Sequence, residues 1–100
     1  MQSYHPQFTV IIPTFNRGNM IVSTLESVVT QTFLPHEIIL CDDGSTDDTA
    51  AQADKYLRSK NIEYRIIVIE NSGPSYARKI AAQQASGNWI CFLDSDDTWD

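Results

Sequence analysis

Apolar positions along this chain follow two alternating periods. Residues 8–12 (FTVII), 38–41 (IILC), 64–69 (YRIIVI) and 89–93 (WICFL) are short, nearly continuous apolar runs rich in β-branched side chains, the pattern of strands buried on both faces. Between them the apolar residues recur at helical spacing. Over residues 19–32, Met20, Ile21, Leu25, Val28 and Val29 predict an amphipathic helix that Pro35 prevents from continuing. A second helix is expected to run to about Lys60, with only Ala50, Ala53 and Leu57 on its inner face. Ser45 and Asp48 have the spacing of a capping box at its start, and Gly44 permits an unusual backbone angle in the turn before it. The third helix follows Asn71-Ser72-Gly73-Pro74, where Pro74 suits the first helical position. Its face of Ala77, Ile80, Ala81 and Ala85 is small enough for close packing on a sheet, and Gly87 is the expected C-cap.

Strand and helix alternate three times before a last strand, which implies parallel strands joined by right-handed crossovers, with helices covering the sheet. Ligands of such open sheets bind at the carboxyl ends of the strands. The 13–18 loop, the 71–74 turn and the chain after the second and fourth runs all fall at those ends. No repeat, low-complexity tract or linker interrupts the pattern, so residues 1–100 read as one α/β domain with residues 1–7 as a polar tail.

Composition narrows the partners. A domain of this size buries roughly 60 to 70% of its unfolded surface, and 42% apolar with 20% charged residues suits a globular chain. The formal charge of −6, with seven dispersed Lys and Arg, argues against nucleic acid as partner. No run is long enough to span a membrane and residues 1–7 do not form a signal peptide, so a cytoplasmic location is expected. Cys41 and Cys91 lie within apolar runs without metal-ligand spacing and read as buried thiols in a reducing compartment.

The acidic residues carry the candidate chemistry. Eight of the nine Asp fall in two clusters, Asp42, Asp43, Asp47 and Asp48, then Asp94, Asp96, Asp97 and Asp100, each directly after a strand-like run. Crowded carboxylates raise one another's pKa unless a cation or hydrogen-bond donors stabilise their charge, and oxygen-only ligands favour magnesium, manganese or calcium. Neither a GxGxxG fingerprint nor a GxxxxGK[ST] loop follows any strand, so a phosphate group would depend on metal rather than on a glycine-rich cradle. His5 and His36 belong to loops and suggest no nucleophilic triad.

Four motifs in order carry a resemblance that covers residues 8–97: Pro13-Thr14-Phe15-Asn16-Arg17, Asp42-Asp43-Gly44-Ser45-Thr46-Asp47, Asn71-Ser72-Gly73 leading to Ala77-Arg78, and Gly87-Asn88-Trp89-Ile90 leading to Asp94-Ser95-Asp96-Asp97. Together they resemble the nucleotide-binding half of a family 2 glycosyltransferase. The resemblance implies the GT-A fold, a Rossmann-like three-layer α/β/α arrangement with a mainly parallel sheet, here truncated, in strand order 3-2-1-4. It also implies metal-dependent transfer of a sugar from a nucleotide diphosphate donor, a UDP-sugar foremost, to a hydroxyl of an acceptor glycan or lipid-linked sugar, with inversion at the anomeric carbon.

Carried over by residue, Pro13, Thr14, Phe15, Asn16 and Arg17 line the nucleoside pocket, and Asp43, or less readily Asp42, accepts a hydrogen bond from the base. Arg78 reaches the nucleotide or diphosphate, Asp94 and Ser95 face the ribose side, and Asp96 with Asp97 takes Mn2+ or Mg2+. Lys79 stands where the family often has Asn. In the family the acceptor half and the general base follow the DxD motif, so residues 1–100 are expected to bind donor without appreciable transfer. An uncovered sheet edge is expected to favour a homo-oligomer. Two other readings fit less of the pattern: a noncatalytic nucleotide-binding or assembly module, and a sugar nucleotidyltransferase, whose Gly- and Arg-rich first loop is lacking here.

Overall fold

The computed structural model describes residues 7–31, 34–87 and 89–94. In chain order the elements are β1 (Phe8–Thr14), α1 (Ile21–Val29), β2 (Glu37–Asp42), α2 (Thr49–Arg58), β3 (Glu63–Val68), α3 (Pro74–Gln84) and β4 (Trp89–Phe92). The four strands form one parallel sheet in the order β3-β2-β1-β4, as the alternating pattern and the resemblance predict. β1 aligns Thr9 with Glu37 through Thr14 with Asp42 on one side, and Phe8 with Trp89 through Ile11 with Phe92 on the other.

Side chains alternate across the strands, so the two central strands feed two cores. Val10, Ile12, Ile38 and Leu40 meet Ile21, Leu25 and Val28 of α1 and Ala53 and Leu57 of α2 on one face. On the other face, Ile11, Ile39 and Cys41 pack under Ala77 and Ala81 of α3. Every residue of β2 is buried, which explains its uninterrupted apolar run, and each fully buried Ile or Leu contributes about 1.5 to 3 kcal/mol. Edge strand β4 instead exposes Trp89, Ile90 and Phe92.

Several local expectations change. β1 runs through Pro13 to Thr14. Thr14 O accepts from Asp43 N–H on the β2 side and Ile11 O from Leu93 N–H on the β4 side. By alternation Pro13 therefore directs its missing donor past the last register pair with β4, where no ladder bond is lost. Helix α1 is shorter than its apolar pattern, because the Met20 and Ile21 amides both turn back to Arg17 O. The capping box does not form: Ser45 Oγ donates to Asp42 Oδ1, and α2 begins at Thr49, whose N–H donates to Asp47 Oδ1 at 3.0 Å. Gly87 is not a left-handed C-cap either, since α3 gives way at Ala85 to extended backbone. What requires a glycine at 87 is proximity, as a Cβ there would lie 2.7 Å from Thr9 Oγ1 and 2.9 Å from Phe8 C. Cys41 is buried, but Cys91 on the edge strand is only half-buried, and both thiols are free.

The N-terminal edge of the sheet holds a buried carboxylate that the apolar pattern does not announce. Glu37 is 5% exposed, and its Oε1 accepts from Thr9 Oγ1 at 3.1 Å, Ser86 N–H at 2.6 Å and Ser86 Oγ at 2.9 Å. Gly87 N–H in turn donates to Thr9 Oγ1 at 3.0 Å. These bonds tie the α3–β4 connection to β1 and β2 just before β4 starts. Burial pushes the Glu37 carboxyl up, but the Ser86 amide and hydroxyl, the Thr9 hydroxyl and the charge of Arg65 outweigh it and hold the pKa below its ordinary value.

Candidate nucleotide-binding cleft

At the opposite edge of the sheet the chain leaves β1 through α1 on one face and reaches β4 from α3 on the other. The C-terminal ends of β1 and β4 part between those helices, the place where open α/β sheets form a crevice. A cleft of about 500 Å³ lies there. Its walls are Pro13, Thr14, Phe15 and Arg17 after β1, Asp43 after β2, Asn71, Gly73 and Pro74 after β3, Ala77 and Arg78 of α3, and Asp94 after β4.

Asp43 organises the floor. It is 5% exposed, and both carboxylate oxygens accept backbone amides of the β3–α3 turn: Oδ1 from Ser72 N–H at 2.7 Å and Oδ2 from Gly73 N–H at 2.9 Å. Asn71 Nδ2 donates to the Asp43 carbonyl at 3.0 Å. The amide of Gly73 can meet the carboxylate because its backbone takes φ 97° and ψ 156°, a conformation essentially reserved for glycine. Pro74 then opens α3, so the turn and helix start are fixed together.

The remaining charges differ in how they are compensated. Arg78 Nη2 donates to Asp94 Oδ1 at 2.9 Å, an ion pair across the cleft between α3 and the end of β4. Arg17 has no ion-pair partner among the described residues, and its Nε is buried without a hydrogen bond. Thr14, 3% exposed, likewise leaves Oγ1 without a partner. A buried polar atom lacking a partner costs roughly 1 to 3 kcal/mol, so both atoms favour a ligand that supplies polar groups. The chemistry offered is an aromatic and proline wall at Phe15 and Pro13, a fixed acceptor at Asp43 and two guanidinium groups suited to anionic oxygen.

The structure thus gathers Pro13, Thr14, Phe15, Arg17, Asp43, Arg78 and Asp94 of the predicted site residues around one cleft. Asn16 is not on its wall; Asn16 Oδ1 faces the β2–α2 loop and accepts Thr46 N–H at 2.8 Å. Ser95, Asp96 and Asp97 lie outside the described residues. Asn71, Gly73, Pro74 and Ala77 also join the wall; the 71–74 turn is expected at this edge and Asn71, Gly73 and Ala77 belong to the third motif, but none has an individual role assigned from the sequence. Their position after a strand was the available signal.

The 42–48 acidic loop is a scaffold. Asp42 Oδ1 accepts from Ser45, and Asp43 holds the β3–α3 turn. Asp47 Oδ2 accepts from Gly18 N–H at 3.1 Å and Oδ1 from Thr49, whose hydroxyl above all holds the Asp47 carboxyl below its ordinary pKa. Asp48 Oδ1 accepts from Gln52 at 2.7 Å. Among the described residues no group of three His, Cys, Asp or Glu could hold a metal, and the predicted metal ligands Asp96 and Asp97 lie outside them. Beneath the loop, burial and then the charges of Asp43 and Asp42 push the Cys41 thiol up to about 11, leaving it protonated.

Residues 9–100 match the family model described as glycosyl transferase family 2. The chain belongs to that family. Among curated relatives, it is 44% identical over 94 residues to the Escherichia coli UDP-Glc:alpha-D-GlcNAc-diphosphoundecaprenol beta-1,3-glucosyltransferase WfaP, with 91% of this chain and 36% of WfaP covered. Among solved structures, Staphylococcus aureus TarS 1-349 in complex with UDP superposes with a TM-score of 0.83 at 35% identity, covering 92% of this chain and 28% of that one. The mannosyltransferase PcManGT from Pyrobaculum calidifontis, in complex with GDP-Man and Mn2+, gives a TM-score of 0.90 at 26% identity over 97% of this chain and 29% of its own. The GT-A fold is thereby shown for this family 2 chain, which spans little more than a third of WfaP. Among the described residues, no helix is long and apolar enough to cross a membrane.

Proposed function

We propose that this family 2 chain forms the donor-nucleotide site of a glycosyltransferase that uses a nucleotide diphosphate sugar, a UDP-sugar foremost. The observation that carries this reading is the position of Asp43: a carboxylate held by two amides at the end of β2, in a cleft with Phe15, Arg17 and Arg78. Asp43 keeps lone pairs on both oxygens and would accept the imide N–H of uracil. Pro13 and Phe15 would cover the base, Thr14 Oγ1 and Arg17 would meet polar nucleotide atoms, and Asp94 and Ser95 would lie towards the ribose. Arg78 would turn from Asp94 to the diphosphate. UDP-bound TarS and WfaP's UDP-Glc name support uridine over other bases.

Mn2+ or Mg2+ would be held by Asp96 and Asp97, and PcManGT with GDP-Man and Mn2+ supports a divalent cation. Such a cation neutralises the diphosphate and stabilises it as a leaving group. Transfer to an acceptor glycan or lipid-linked sugar, with inversion, needs a general base within reach of the acceptor hydroxyl. Among the cleft's described residues Asp43 is committed to the β3–α3 turn and Asp94 would lie towards the ribose, so neither is assigned that step. Action at the cytoplasmic face of the membrane suits a lipid-linked acceptor.

A nucleotidyltransferase is disfavoured by the loop after β1. Its amides at Asn16, Arg17 and Gly18 donate to Ser45, Thr49 and Asp47, so they cannot cradle a triphosphate. The assembly-module reading draws on the exposed edge strand β4. Calorimetric titration with UDP, GDP, CDP and dTDP in manganese and in chelator separates these readings. UDP is expected to bind tightest, with manganese, and Asp96→Asn to lose most of the manganese-dependent part. Equal affinity for all four nucleotides, or for UDP with and without metal, would overturn the assignment.

A further inference from the structure

Of residues 13–17, Asn16 alone is missing from the cleft wall, and its backbone explains why. Its φ is 52°, in the left-handed region that Asn tolerates better than most side chains. A reversal at this residue leaves Phe15 and Arg17 on the cleft while the Asn16 side chain goes to the β2–α2 loop. There Oδ1 accepts Thr46 N–H at 2.8 Å and Thr46 Oγ1 at 3.3 Å. Asn16 N–H donates to Ser45 Oγ at 2.8 Å, and Ser45 is itself anchored to the buried Asp42. The next two amides are held by the same loop: Arg17 N–H on Thr49 Oγ1 at 2.9 Å and Gly18 N–H on Asp47 Oδ2 at 3.1 Å.

Arg17 presents a buried Nε that no described group accepts from. With no described acceptor on Nε and no described ion pair to orient it, the direction of the Arg17 side chain depends on the backbone that carries it. We infer that Asn16 is a positioning residue: it does not touch the nucleotide, but its side-chain ties to Thr46 and its left-handed backbone hold Phe15 and Arg17 against the cleft and so set donor affinity. The inference rests on the nucleotide reading for its effect on binding, and on the loop geometry alone for its effect on order.

Four variants test it, Asn16→Ala, Asn16→Gly, Asn16→Asp and, as a core control remote from the cleft, Val28→Ala, each followed by amide exchange without ligand, thermal melting and UDP titration in manganese. Asn16→Ala removes both acceptor and conformational tolerance. It is expected to speed exchange at Arg17 and Gly18 about tenfold, with β2 amides unchanged, and to weaken UDP about tenfold, the scale of one lost side-chain anchor. Asn16→Gly, which keeps only the backbone freedom, should fall between, and Asn16→Asp, which keeps an acceptor, should recover most of both effects. Val28→Ala should lower Tm at least as far without changing UDP affinity. Unchanged exchange at Arg17 and Gly18 in Asn16→Ala would overturn the inference, as would a loss of UDP affinity in Val28→Ala equal to that in Asn16→Ala. If the unaltered chain takes up no UDP, the nucleotide reading fails, and the exchange rates still decide whether Asn16 holds the loop.

Discussion

Replacing Glu37 tests how the fold delivers β4 to the cleft, because this carboxylate lies at the far edge of the sheet and acts through the chain it ties down. One oxygen accepts three hydrogen bonds, from Thr9 Oγ1, Ser86 N–H and Ser86 Oγ. Hydrogen bonds to an ionised group are worth about 1.5 to 3 kcal/mol each, and the burial of the charge offsets several kcal/mol of their sum. Glu37→Ala removes all three and strands a hydroxyl donor on the fully buried Thr9, for an expected loss of about 3 kcal/mol. For a domain of this size that corresponds to a fall in Tm of roughly 12 to 24 °C. Glu37→Gln keeps an acceptor and loses the charge, for about 1 to 2 kcal/mol.

The pH dependence has a definite sign. A carboxyl whose folded pKa is depressed binds fewer protons folded than unfolded, so it stabilises above its unfolded value, about 4.3. That contribution is lost as pH falls through the lower folded value. Urea unfolding followed by circular dichroism at pH 7, 5, 4 and 3 should therefore show the unaltered chain ahead of Glu37→Gln at pH 7 and the gap closing below about pH 4. Equal stability at pH 7, or a gap that persists unchanged to pH 3, would refute the reasoning.

Two further perturbations address the cleft and the exposed edge. Gly73→Ala meets no atom within 4 Å of the added methyl, so any effect comes from φ 97° alone; a cost of about 1 to 3 kcal/mol and weaker UDP binding are expected, and an unchanged melting curve would show that the turn relaxes freely. Trp89 is 62% exposed on edge strand β4 beside exposed Ile90 and Phe92, so self-association is expected in light scattering and Trp89→Lys should reduce it; a monomeric unaltered chain would remove the edge strand as the cause.

What this sequence determined by itself was the periodicity and its consequences. Short β-branched runs and helical spacings are local properties, and their alternation requires parallel strands with crossovers. The end of the sheet that carries the site then follows from where the polar motifs fall. The 13–18 loop, Asp43 and Asp94 were legible for that reason, each following a strand run, whereas Arg78 and the individual roles of Pro13, Thr14, Phe15 and Arg17 came from the family resemblance. Family resemblance added the order of the motifs and named what the cleft would hold.

Tertiary structure decided which polar group meets which. Ser45 and Asp48 have capping-box spacing, yet Ser45 binds Asp42 and Asn16 instead, because the β1–α1 loop lies beside it. Gly87 has C-cap spacing, yet it is needed where the chain crosses Thr9. Glu37 directly precedes an apolar run, and its buried carboxylate is satisfied by Thr9 and by Ser86, which comes back to it 49 residues later. Clustered Asp residues suggested repulsion relieved by a cation, and in the 42–48 loop backbone amides and hydroxyls take that part. Donors and acceptors far apart in sequence are paired by the sheet order, so their partners cannot be read from local spacing, whereas burial periodicity can.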